Sequence, residues 1–462
     1  MPLFGTISSH NQKLLHLILK FMKITKRGLI ISFLIIIFIL GMLIRLNDLC
    51  DIGFYYDTVE TQYLWANTAV SNGFVEFWSN YKGFMDYLPG SIYLGMTFKN
   101  ISLIFNNSPE SYVLILKSFN ILVDLFLSYF IYSILYKTYK FPQIKSVVYA
   151  LIVFLAPGIW FISSYWGQFD NLIVLLTLIS FYFLTKNEKI KKYLFVSGLL
   201  YGLVVSIKLQ PIIFSFIIII YLISRKNLKS LMIYITGFFI SFSLINIPAL
   251  LINPYRTITG FLQPFTRDDI ISSGANTFWT LFPNIKTSHD ILWGNISVSF
   301  FSYLVFIVII LFSLFVIFDL KFNISIKRNF EKIYLNLNFP SILSLCVITN
   351  LTYFMLMPKM HSRYDVFAVT YIMILIAFAK RNLTKNILIF GAICLNISYF
   401  FNQLFVFYSW YRDKFYGLLD QFMNNQSVTV ILVLLNVFAL ICMLTFIVNT
   451  RGKVLIKNKI DN

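Results

Sequence analysis

Charge is what this sequence has least of. Only 12% of its 462 residues are Asp, Glu, Lys or Arg, and the acids number 19. A soluble chain carries about twice that fraction to cover its surface, so a water-soluble globular fold is excluded. Cysteine is also scarce: Cys346, Cys394 and Cys442 fall inside apolar runs and Cys50 just beyond one. Their spacing fits neither a metal site nor a disulfide framework, which leaves them as packing residues. Histidine occurs four times. Low-complexity linkers and strong internal repeats are missing too. One membrane domain over 28–448 is therefore the simplest division, between a short segment 1–27 and a tail 449–462.

What fills the chain is hydrocarbon. Apolar residues make up 58% of it and the mean hydropathy is +0.77. Runs near the ~20 residues needed to cross a bilayer recur along its length. They are too long and too uniformly apolar for barrel strands, so the fold class is all-α, a polytopic transmembrane helical bundle. Twelve helices are expected, near 28–46, 112–136, 146–163, 169–185, 193–208, 211–224, 230–252, 293–318, 339–357, 364–379, 386–402 and 427–448. The first run is too long for a signal-peptide core and lacks a small-residue cleavage site, so it reads as a retained helix.

The net charge of +19 would suit a nucleic-acid binder. A plainer cause is the excess of Lys and Arg that cytoplasmic loops of membrane proteins carry. With the N-terminus inside, the inner segments 1–27, 137–145, 186–192, 225–229, 319–338, 380–385 and 449–462 hold 26 of the 38 basic residues. Both termini are thus expected in the cytoplasm of a cell-membrane protein. Apolar segment 90–105, which follows Pro89-Gly90, would reverse every later loop if it crossed. Charge therefore places it as a surface or re-entrant helix within a long outer loop, 47–111.

Against this background the few polar motifs stand out: YYDTVE (55–60), MDYLPG (85–90), YWGQFDN (165–171), KLQP (208–211) and KMHSRY (359–364). The topology puts all five on the extracytoplasmic side. Charged groups are costly beside hydrocarbon, and their convergence marks a site. Asp57 and Glu60 share a face if 57–70 is helical, and a carboxylate near apolar side chains can act as a general base. Asp48 and Asp51 are weaker rivals. Asp86, before a Pro-Gly break, is either a helix cap or a site member. Trp166, Gln168 and Asp170 combine an interfacial ring with hydrogen-bonding groups, and Asp170 also suits the cap of the following helix. Lys208, followed by Gln210-Pro211, either snorkels or holds a phosphate. His361 and Arg363 lie in a turn whose charge runs against the positive-inside bias. An anionic ligand explains them, and a salt bridge from Arg363 to Asp365 is the alternative. Lys117 and Asp124 lie seven apart on one face of helix 112–136. Asp124 needs a partner deep in the bundle, and the pair reads as structural.

The order of these motifs resembles the GT-C membrane glycosyltransferases, specifically prokaryotic proteins similar to the second mannosyltransferase of GPI-anchor synthesis. More distantly it is similar to the dolichyl-phosphate-dependent hexosyltransferases of N-glycan assembly. The matched elements are Asp57 with Trp65 eight residues on, DYLPG (Asp86 to Gly90), Lys117 with Asp124, SSYWGQFD (Ser163 to Asp170), KLQP (Lys208 to Pro211), ANTFW (Ala275 to Trp279) and KMHSRY (Lys359 to Tyr364). They cover about residues 45–400. Leu88 and Ser362 stand where the family usually has Pro and Glu.

The resemblance implies transfer of a hexose, mannose first, from a polyprenyl-phosphate carrier to a lipid-linked or protein acceptor, with inversion. Asp57 would be the catalytic base. Lys208, His361 and Arg363 would meet the donor phosphate, and Gln168 and Asp170 would hold the sugar or order the loop, with Glu60, Asp86, Trp166 and Gln210 completing the substrate contacts. It implies no cofactor beyond the lipid-phosphate sugar itself; a divalent metal stays open, although no metal cluster is evident. The partners are then the donor, the acceptor and membrane lipids, with no nucleic acid. A transporter or flippase of a lipid-linked saccharide is the alternative. Such proteins place ionisable groups near the midplane, often within repeats. A structural subunit without chemistry is a third reading.

Overall fold

Each of the twelve apolar runs lies on a helix in the computed structural model, which describes residues 9–450 except 48, 50, 86, 187–190, 225–227, 267–269, 321–336, 381, 412–416 and 424. Asp48, Cys50, Asp86 and the terminal stretches 1–8 and 451–462 lie outside the described residues. In chain order the helices are α1 (Ser9–Asn47), α2 (Leu64–Asn72), α3 (Phe74–Asn80), α4 (Pro89–Ser102), α5 (Pro109–Ser133), α6 (Gln143–Leu155), α7 (Pro157–Trp160), α8 (Asp170–Thr185), α9 (Lys191–Ile207), α10 (Ser215–Ser224), α11 (Leu228–Ile252), α12 (Pro254–Thr266), α13 (Val298–Ile317), α14 (Phe339–Leu356), α15 (Val366–Phe378), α16 (Asn382–Trp410), α17 (Leu418–Met423) and α18 (Gln426–Thr450). Among the described residues, seven helical segments are long and apolar enough to cross a membrane, or eight with the bent pair around Pro157. The protein is an all-α, multi-pass membrane protein.

Local chemistry sets the helix starts. Ser108 accepts from the Ser111 amide while Ser111 returns a bond to the Ser108 amide, and Pro109 opens α5 behind this capping box. Ser297 caps α13 and Asn338 caps α14 in the same way. α14 and α15 are apolar on all sides, and 94% of the hydrophobic stretch of α14 is buried. They form the centre of the bundle, whereas α1 has only 11% of its window buried and faces lipid. α9 and α11 pack backbone to backbone. A Cβ on Gly198 would sit 2.1 Å from the Tyr234 carbonyl oxygen, and one on Gly202 2.3 Å from that of Phe238. That contact fixes the axis of α9, which delivers Lys208 at its end.

Three expectations change. The run 146–163 is not one straight helix: it breaks at Ala156–Pro157 and bends by 57°, because proline cannot continue the hydrogen-bond ladder. The run 293–318 begins as a helix only at Val298. Before it, β2 (Ile291–Trp293) and β3 (Ile296–Ser297) form a small antiparallel hairpin. Asp124 finds its partner in Arg45 of α1, Nε to Oδ2 at 2.9 Å, while Lys117 donates to the backbone oxygen of Asp51. The seven-residue spacing of Lys117 and Asp124 therefore marks two separate contacts. The segment after Pro89 forms a short helix, α4. The 14 residues of α4 reach about 21 Å at ~1.5 Å per residue, short of a ~30 Å hydrocarbon core.

Candidate active site

All five polar motifs contribute walls to one cavity of about 590 Å³ at one end of the bundle. Its first element is a wide π-type turn, Tyr56–Tyr63, that runs into α2. Such turns are rare and recur at functional sites. An i→i+5 turn does not bring residues i and i+3 onto one face. Asp57 accordingly lines the cavity while Glu60 is exposed and outside it. Two glycines let this turn press against the 165–168 loop. Gly53, at φ +70°, would place a Cβ 2.0 Å from the Tyr165 carbonyl oxygen, and Gly167, at φ +85°, one 2.8 Å from Thr58 Cγ2.

The approach creates a dense polar contact. Trp166 Nε1 (2.9 Å), Gln168 Nε2 (2.8 Å) and Arg363 Nη1 (3.1 Å) all donate to Asp57 Oδ2. None of these donors reaches Oδ1. Gln168 is held in turn by the Tyr87 hydroxyl, which donates to its Oε1 at 3.2 Å. The Arg363 guanidinium lies 5.5 Å from the centre of the Trp166 ring, and its Nε faces Asp170 Oδ2 at 3.9 Å. Both of those atoms are buried without a hydrogen bond. Asp170 Oδ1 takes Lys208 Nζ. Asp57, Arg363, Asp170 and Lys208 thus form a continuous chain of alternating charge. Desolvation by burial opposes the positive charge of Arg363, but the Tyr87, Asp57 and Asp170 side chains beside it outweigh this and raise its pKa above the ordinary arginine value.

The other predicted residues fall into distinct places. Phe169, not Asp170, occupies the cap position of α8; Asp170 is the first helical residue, and its carboxylate complements the helix dipole while pairing with Lys208. Arg363 pairs with Asp57 and Asp170, not with Asp365. Gln210 lines the cavity but donates to the Tyr364 carbonyl at 2.7 Å, so it fixes the backbone of the cation turn. His361 lines the cavity from β4 (Met360–His361). This strand pairs in parallel with β1 (Ser272–Ser273), and the Lys359 amide donates to the Ile271 carbonyl at 3.0 Å. Lys359, at φ +66°, turns the chain into that pairing. The ANTFW segment anchors the loop nearby: the Asn276 amide donates to Asn402 Oδ1 at 2.7 Å and Trp279 Nε1 to the Leu356 carbonyl.

Sequence reasoning did not single out Tyr87, Lys359 as a cavity residue, or the wall from Tyr56 and Trp410. Tyr87 and Lys359 sit inside recognised motifs beside the residues that were chosen. Trp410 lies eight residues beyond the expected helix 386–402, at the end of α16, which runs further than the apolar stretch, and it had no sequence signal beyond its size. Among the described residues, no group of three or more His, Cys, Asp or Glu side chains is placed to hold a metal ion.

A search of curated proteins finds no match to this chain. The model of glycosyltransferase family 87 matches residues 113–379, more than half of the 462. The matched span includes Trp166, Gln168, Asp170, Lys208, His361 and Arg363, while Asp57 precedes it. With the multi-pass helical architecture and a polar cavity at one end of it, this match establishes that the chain belongs to glycosyltransferase family 87, a family of GT-C-type membrane glycosyltransferases.

Proposed function

We propose that the protein transfers a hexose, mannose first among candidates, from a polyprenyl-phosphate carrier to a hydroxyl of a lipid-linked or protein acceptor, with inversion. The observation that carries this reading is the asymmetry of Asp57. Three donors converge on Oδ2 and leave Oδ1 as the atom able to take an acceptor proton. As that proton moves to Oδ1, the acceptor oxygen attacks the anomeric carbon and the bond to the carrier phosphate breaks. A single displacement of this kind inverts the anomeric centre. The leaving phosphate gains one negative charge, and Lys208 and Arg363, with His361 on the same cavity wall, are the groups to meet it. Family membership makes a transporter or flippase unnecessary as an explanation. The motif order resembles that of the mannosyltransferases of GPI-anchor synthesis, and this likeness supports mannose as the first sugar to test.

Asp57, Asp170, Lys208 and Arg363 balance one another, two carboxylates against two cations. A donor phosphate therefore competes with Asp170 and Asp57 for Lys208 and Arg363, and Lys359 adds a further positive charge to the cavity lining. Purified protein given polyprenyl-phosphate mannose and an acceptor should release polyprenyl phosphate, and failure with every polyprenyl-phosphate hexose would overturn the reading. In the same assay Lys208→Ala and Arg363→Ala should each raise the donor KM or lower kcat/KM by ~10²-fold or more, the scale of losing one charge-stabilising contact. Unchanged donor kinetics in both would remove them from the phosphate site.

The cavity is proposed to face the extracytoplasmic side. The support is the concentration of Lys and Arg in the loops at the other end of the helices. A cysteine placed at Ser273 should react with a membrane-impermeant maleimide added to intact cells. Labelling only after the membrane is opened would reverse the topology.

A further inference from the structure

One wall of the cavity is aromatic and, apart from Asp57 itself, uncharged. Tyr56, the residue before Asp57, stacks on Trp410 with ring centres 4.9 Å apart and planes 23° from parallel. Phe54 meets the same indole edge-on at 5.8 Å. Both members of the stack line the cavity together with Ser409. Trp410 nevertheless keeps 57% of its surface open. The pair is tied down from behind, because the Tyr55 amide donates to the Tyr411 hydroxyl at 2.8 Å.

A tryptophan at the end of a membrane-crossing helix often serves only as an interfacial anchor. Trp293, on the hairpin before α13, fits that description: it is 82% exposed and does not line the cavity. Trp410 differs, since it lines the cavity and stacks on the neighbour of the candidate base. A flat, neutral, partly open ring beside a carboxylate oxygen suits a ligand with an apolar face and hydroxyls on its edge. A pyranose has that form. The C–H bonds of one ring face carry partial positive charge and are drawn to the negative face of an aromatic ring, while the edge hydroxyls point outward.

Resting on the transferase reading above, we propose that Tyr56 and Trp410 form the acceptor subsite, and that the acceptor group it takes is a sugar ring, not a peptide. Stacked there, the ring would present one hydroxyl to Asp57 Oδ1. Trp410 is a specificity-determining residue in this scheme and Tyr56 its backing.

The test uses the full protein in lipid nanodiscs, polyprenyl-phosphate mannose as donor, and two acceptor probes: octyl α-mannopyranoside below its micellar concentration, and a Ser/Thr-containing peptide. The glycoside should be glycosylated and the peptide not. Trp410→Ala should raise the glycoside KM about tenfold, leave the donor KM within twofold and spare slow transfer to water. Trp410→Phe should restore most of the loss, and Trp293→Ala should behave as wild type. Donor-free binding of the glycoside, measured by titration calorimetry, reads the subsite independently of transfer and should be lost in Trp410→Ala. Transfer to the peptide alone, unchanged glycoside binding in Trp410→Ala, or a parallel rise in donor KM would each overturn the subsite. If no donor releases its carrier while glycoside binding still depends on Trp410, the transferase reading fails and the sugar subsite stands.

Discussion

Asp57→Asn should abolish sugar transfer, by roughly 10³-fold on the scale that a general base contributes, while the protein still inserts and folds. The amide keeps the shape of the carboxylate, and its oxygen can still accept from Trp166 Nε1 and Gln168 Nε2. What it loses is the capacity to take a proton, and the negative charge that holds Arg363 at 3.1 Å. The second loss has a direction of its own. Arg363 released from Asp57 is more available to a phosphate, so donor affinity should hold or improve in the variant while turnover collapses. Steady-state kinetics beside donor-binding isotherms separate the two effects. Wild-type-like turnover would remove Asp57 as the base, and a collapse in donor affinity alone would recast it as a binding residue.

The second large effect is on stability. Arg45→Ala should destabilise the protein by about 3–5 kcal/mol, the usual cost of stripping one partner from a buried ion pair. Asp124 is enclosed in the bundle, and its carboxylate takes Arg45 Nε at 2.9 Å, Ser163 Oγ at 2.7 Å and Asn171 Nδ2 at 2.6 Å. Arg45 also donates to the Phe154 carbonyl at 2.6 Å and packs on that residue's ring. Without it a carboxylate is left among hydrocarbon with two neutral donors. The pair also positions the site: Ser163 and Asn171 bracket the loop that carries Trp166 and Gln168, so activity should fall with stability. The double variant Arg45→Met, Asp124→Asn removes both charges and should regain much of the loss. Thermal unfolding in a fixed detergent reads the difference. A midpoint for Arg45→Ala within a degree of wild type would contradict the role.

The helices and the charged residues of the ion-pair chain were legible in the sequence for a common physical reason. In a bilayer, apolar runs announce themselves by length and charged residues by their cost, so Asp57, Asp170, Lys208 and Arg363 were visible as exceptions. Their pairing was not. Nothing in the spacing of 57, 170, 208 and 363 says that the cations rest on the carboxylates, because that depends on how the 165–168 loop crosses the π-type turn. The Arg45–Asp124 pair was half legible: Asp124 demanded a partner, but seven-residue helical spacing pointed to Lys117. The helix break at Pro157 and the hairpin before α13 carried turn signals, Pro157-Gly158 and Gly294-Asn295, that the length of the apolar runs outweighed. Trp410 was unreadable because it is one aromatic among many.

The parallel contact of Ser272–Ser273 with Met360–His361 has a consequence for how such a protein can diversify. It is a two-residue clip between a long connecting loop and the turn that bears the cations, and ANTFW rivets the same loop to the bundle beneath. The loop beside the cavity is therefore fastened at a few points: this clip, the ANTFW contacts, and the Val298 and Ser299 amides at the start of α13, which donate to the Asp290 and Ser288 carbonyls. The exposed residues 282–284 between those fastenings can be exchanged or lengthened without repacking hydrocarbon, as surface loops generally can. Substrate preference and the chemical step can then evolve at different speeds within one chain.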